Sequence, residues 1–83
     1  MNILDKVAAK AMAEAKSTCL TYGDFSSMHE AYGVLAEEVA ELFEAVRLRS
    51  DGTEIRGTKI AAEAIQIAAV ALRIAEQAGR VTR

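Results

Sequence analysis

Glu63 stands where a charge is costly. If residues 58 to 77 form a helix, Ile60, Ile67, Val70 and Ile74 all fall within about 60° of it at 100° per residue. A carboxylate in an apolar stripe normally neutralises, pairs with a cation or binds a metal. Upstream, Ala36-Glu37-Glu38-Val39-Ala40-Glu41-Leu42 places Glu38 and Glu41 three apart, on neighbouring faces of one helix. Carboxylates on two facing helices are the oxygen-rich donor set that a hard divalent cation takes. The same residues have a purely structural explanation. A glutamate-rich stripe is the ordinary solvated face of an amphipathic helix, and Glu63 can be neutralised by an ion pair with Arg73 or Arg47.

The elements that must hold these groups are helical. The chain has no proline, and Gly23, Gly52, Gly57 and Gly79 fall where helical periodicity lapses. A first helix is expected from about Ile3 to Ser17, with Leu4, Val7, Ala8, Ala11, Met12 and Ala15 on one face. After a connector from Thr18 to Ser26, Ser27-Met28-His29-Glu30 has the pattern of a capping box. The second helix then runs to about Leu48, with Met28, Leu35, Val39, Leu42, Phe43 and Val46 as its core face. On that projection Glu30, Glu37, Glu41 and Glu44 lie opposite the core, and Glu38 turns inward. A polar turn, Arg49 to Glu54, leads to a third helix from near Arg56–Lys59 to Gly79. This helix is apolar on two sides: Ile60, Ile67, Val70 and Ile74 on one, Ala61, Ile65, Ala68 and Leu72 on the other. A second subunit is the simplest cover for one of them.

Eighty-three residues make one small domain, which buries only roughly 60 to 65 % of its unfolded surface. Hydrophobic residues are 52 % of the chain and aromatics only 5 %, so the core is built from Ala, Val, Ile and Leu and calls for oligomerisation. Cys19 is alone, which excludes an internal disulfide or a CxxC motif and suits a reducing compartment. A net charge of −2 gives no footprint for a nucleic-acid polymer. Asp5, Lys6 and Lys10 interrupt any apolar export segment, and the run from Ile60 to Ala75 is too short and interrupted for a membrane span. The expectation is a cytoplasmic protein.

Glu38-Val39-Ala40-Glu41, followed by a polar turn and Glu63-Ala64-Ile65-Gln66, resembles the ExxE and ExxD elements of the MazG-like all-α nucleoside triphosphate pyrophosphohydrolases. His29-Glu30-Ala31-Tyr32-Gly33-Val34-Leu35-Ala36-Glu37-Glu38 is similar to the start of the corresponding helix in short phage and bacterial members. The likeness runs from about Tyr22 to Glu76. It implies an enzyme dependent on Mg²⁺, or Mn²⁺, that cleaves (deoxy)nucleoside triphosphates to monophosphate and pyrophosphate. It also implies a three-helix chain that pairs, as homodimer or homotetramer, into a four-helix-bundle core. By position Glu38, Glu41 and Glu63 become metal ligands, joined by Gln66 where the family usually has Asp; an amide oxygen ligates without adding charge.

Glu37 or Glu41 is available to orient water. Lys59, Arg56, Arg47 and Arg73 are candidates for holding phosphates, and Tyr22, Phe25 and Tyr32 for stacking on a base. Each of these also has an ordinary role at a helix end or as a staple of a small core. His29, second in its helix, supports the helix start. The alternative function is a non-catalytic helical oligomer that binds a nucleotide or a protein partner.

Overall fold

The computed structural model describes residues 2–47 and 53–82 and forms three helices: α1 (Ile3–Tyr22), α2 (Met28–Arg47) and α3 (Thr53–Thr82). The expected helix end at Leu48 and turn residues 49–52 lie outside the described residues, as does the Arg56 side chain. Among the described residues there is no strand, and no helix is long and apolar enough to cross a membrane.

α1 begins on a reciprocal cap. Asn2 Oδ1 accepts from the Asp5 amide at 2.8 Å, and Asp5 Oδ2 accepts from the Asn2 amide at 3.4 Å. The helix outruns its expected end at Ser17 because the polar stretch beyond is self-satisfying. Thr18 Oγ1 donates to the Glu14 carbonyl and Thr21 Oγ1 to the Ser17 carbonyl, both at 3.0 Å, so neither hydroxyl competes for the helical amides. It stops at Gly23, whose φ of 73° disfavours residues with a Cβ. The Gly23 amide closes the last turn on the Cys19 carbonyl at 2.9 Å.

Ser27 caps α2 as its spacing predicts, with Oγ accepting from the Glu30 amide at 3.0 Å. The return arm differs by one residue. Glu30 accepts from the Ser26 amide at 3.0 Å and the Ser26 hydroxyl at 2.7 Å, bonds that hold its carboxyl below the usual range.

α3 starts earlier and ends later than the glycines suggest, passing through both Gly57 and Gly79. A helical glycine costs only about 1 kcal/mol, and tertiary bonds hold the final turns. Arg80 reaches Asp24 through two bonds of 2.6 and 3.0 Å and Glu76 at 2.8 Å. One turn back, Gln77 accepts from the Phe25 amide and donates to the Phe25 carbonyl, each at 2.9 Å. Arg73 donates to the Gly23 carbonyl at 3.1 Å and lays its guanidinium 4.2 Å from the centre of the Phe25 ring. Thus α3 clamps the α1–α2 linker along three successive turns.

α3 packs against both α1 and α2, which do not pack against each other. Phe25, Ala31 and Val70 form the buried cluster, with Val34, Leu35 and Ile74 against it, and Ala11, Ala15, Ala45 and Ala69 are buried beside them. On the second apolar side of α3, Ala61, Ala68 and Leu72 stay exposed, so its own chain leaves most of that side open. Two expectations are corrected. On α2 the face turned to α3 carries Ala31, Leu35, Glu38, Leu42 and Ala45, while Met28, Val39, Phe43 and Val46 are exposed. On α1, Leu4, Val7, Ala8 and Met12 are likewise exposed, and only Ala11 and Ala15 are buried. Small residues win the contact positions because they let helix axes approach closely.

Candidate metal centre and adjoining cavity

The inward rotation of α2 carries Glu38 toward α3. There Glu38, Glu41 and Glu63 bring one carboxylate oxygen each to within 4.8 Å of one another. Oxygens on one octahedral Mg²⁺ lie up to about 4.2 Å apart, given metal–oxygen distances near 2.1 Å. A small change of side-chain torsion spans that difference.

Glu63 is only 15 % exposed, and Lys59, 3.8 Å away on the preceding turn, is its ion-pair partner. Arg47 pairs instead with Glu44 at 3.6 Å, and Arg73 is taken by the linker, so neither arginine supplies the countercharge. Lys59 reaches Oε1; Oε2 is buried with no hydrogen-bond partner. Burial, then the neighbouring Glu41 and Glu63 charges, pushes the Glu38 carboxyl above its usual range. An all-oxygen set with an orphaned buried acceptor and mutual repulsion fits a hard divalent cation.

The three glutamates stand between two hollows. Glu41 and Glu63 line an open one with Ala40, Glu44 and Lys59. Glu38 and Gln66 line a cavity of about 370 Å³ in the cleft between α1 and α2, floored by Ala69 and Val70. That volume lies within the range of small-molecule sites, about 300–1,000 Å³.

Tyr22, Phe25 and Arg73 border the same cavity. Phe25 has one ring face covered by Arg73, whereas Tyr22, the last residue of α1, is exposed. Glu37 and Tyr32 are exposed on α2 and line neither hollow. His29 lies in the first turn of α2, exposed. The cavity wall also holds Glu14 and Thr18, absent from the sequence-based set. Their i,i+4 spacing beside Ala11 and Ala15 was the available sign that both border the buried face of α1.

No family model matches the chain, nor does any curated protein or solved structure.

Proposed function

We propose that this chain is a small pyrophosphohydrolase of the MazG-like kind, cleaving (deoxy)nucleoside triphosphates to monophosphate and pyrophosphate. The observation that carries the reading is the Glu38–Glu41–Glu63 cluster with its orphaned Glu63 oxygen. Glu38, Glu41 and Glu63 hold Mg²⁺ or Mn²⁺, with Gln66 as a neutral fourth ligand. Such an ion, when bound, supplies positive charge against the triphosphate and acidifies water.

Lys59 would meet phosphate oxygens as a point charge; its ammonium, more than half exposed beside Glu63, supports that role. Glu41, exposed at the open hollow, takes the proton of the attacking water; Glu37 lies outside both hollows. Water oxygen bonds to the α-phosphorus as its bond to the α–β bridging oxygen breaks, and pyrophosphate leaves with that bridging oxygen. The cavity beyond Glu38 and Gln66 receives the nucleoside, with Tyr22 at its rim. The working form is a homodimer or homotetramer in a reducing cytoplasm, where an exposed Cys19 thiol persists.

A panel of (d)NTPs with Mg²⁺ or Mn²⁺ tests the reading. Wild type should release pyrophosphate rather than single phosphate, and Glu38→Ala and Glu41→Ala should lose that release while remaining helical. Gln66, neutral where an acid serves elsewhere, favours a second reading: a helical oligomer that binds a nucleotide or protein partner without turnover. A folded wild type that binds metal yet is inert on every triphosphate selects the second.

A further inference from the structure

The polar groups around the cavity between α1 and α2 differ in what they still have to offer. Asp24 is taken by Arg80, through bonds of 2.6 and 3.0 Å, and both oxygens of Glu30 are taken by Ser26. Glu14 and Thr18, one turn apart on α1, line the same cavity and are not spent in this way. No described residue bonds to the Glu14 carboxylate, a group that accepts hydrogen bonds without donating any. The Thr18 hydroxyl commits its hydrogen to the carbonyls of Glu14 and Ala15, at 3.0 and 3.2 Å, so only its lone pairs remain. Both side chains are half-buried, which makes the α1 wall a partly desolvated row of acceptors.

α3 contributes donors. The Gln66 amide is engaged by no described residue, so its nitrogen can donate even where its oxygen holds a metal, and Arg73 Nε is buried without a partner. Acceptors on one wall and donors on the next complement an amine that sits beside an unprotonated ring nitrogen. Cytosine and adenine present that pair, whereas uracil, thymine and hypoxanthine present a carbonyl beside an N–H. We propose that the cavity selects cytosine and adenine over their keto counterparts, with Glu14 and Thr18 accepting from the exocyclic amine.

This deepens the nucleotide reading and rests on it for placing the nucleoside in this cavity. An amine and a carbonyl are nearly the same size, so the selection is made by edge chemistry rather than by volume. A carbonyl turned toward Glu14 and Thr18 sets acceptor against acceptor and leaves both unpaired, which is how a polar site rejects an isostere. Both residues lie on α1, ahead of the stretch from Tyr22 to Glu76 that carries the family resemblance. The preference is therefore a property of this chain's own first helix.

NMR titration of the metal-free protein with deoxycytidine against deoxyuridine, and deoxyadenosine against deoxyinosine, reads the base edge without phosphate or turnover. The amine member of each pair should bind roughly 10- to 100-fold more tightly. Glu14→Gln, whose amide can turn its nitrogen toward a carbonyl, should stay helical, weaken deoxycytidine and strengthen deoxyuridine, bringing their ratio near one. A role in folding alone would strengthen no ligand. Thr18→Val keeps the shape and should weaken both amine-bearing nucleosides without helping the keto ones; it decides the matter with the wild-type pairs if Glu14→Gln fails to fold. Pyrophosphate release from the triphosphates is scored separately. Selective binding without release supports the base preference and rejects hydrolysis, whereas release with equal binding within each pair rejects the preference alone. Equal binding, no binding of any nucleoside at millimolar concentration, or an unchanged ratio in a folded Glu14→Gln overturns the proposal.

Discussion

Glu63 Oε2, buried without a hydrogen bond, and the raised Glu38 carboxyl both arise where two half-buried carboxylates and the exposed Glu41 are drawn together. A cation bound only by the native state stabilises it by RT ln(1 + [L]/Kd). Adding Mg²⁺ or Mn²⁺ should therefore raise the melting temperature of wild type, and Glu63→Gln should abolish that rise. Gln66→Asp should tighten metal binding and Gln66→Ala weaken it without unfolding, both measured by titration calorimetry. Glu38 also sets a pH dependence. Its folded pKa lies above the reference 4.5, so the native state holds the proton more tightly than the unfolded chain. Its contribution therefore falls as pH rises from 4.5 through the folded pKa, and stays lost above it. Asp24 and Glu30, held low by Arg80 and Ser26, act in the opposite sense, so absolute stability mixes the two. Urea unfolding of Glu38→Gln against wild type isolates the one group: the variant should gain on wild type across that window, and saturating Mg²⁺ at neutral pH should reverse the gain.

At the scale of elements, the linker 23–27 and the last turns of α3 stabilise one another. Gln77 satisfies both backbone groups of Phe25, a buried residue. Gln77→Ala leaves two part-buried polar groups unpaired and should cost about 1–3 kcal/mol. The check is a lower denaturation midpoint together with faster hydrogen exchange at the Phe25 amide, α1 amides remaining protected. Removing the α2 cap with Ser27→Ala should cost about 1 kcal/mol. The cap could be read from Ser27 and Glu30 alone, because capping is local. Which serine takes the return bond could not, since it depends on how the linker lies over α3.

The whole molecule is open for its size. Its radius of gyration is 14.2 Å, against about 12 Å for a compact chain of this length. α1 and α2 diverge over α3, the cavity lies in the cleft, and the buried core is mostly alanine. Stability should therefore depend on association. The melting temperature of wild type should rise with protein concentration. A wild-type transition that ignores concentration would place the full stability within one chain.

The sequence by itself determined the helical class, the three segments, the Ser27 cap and the chemical oddity of Glu63, because each follows from spacing along a single helix. It also separated inward Glu38 from outward Glu37, Glu41 and Glu44. Only the tertiary structure decided which stripe of α2 is buried. Periodicity shows that Val39, Phe43 and Val46 share a side but not what that side faces, and α3 takes the alanine face beside it. Helix ends followed the same rule: α3 continues through Gly79 because Arg80 finds Asp24, a contact spanning 56 residues. Likewise Lys59, rather than Arg47 or Arg73, became the partner of Glu63 once the linker and Glu44 had engaged the two arginines. Local spacing fixes what a helix can offer, and long-range packing chooses among the offers.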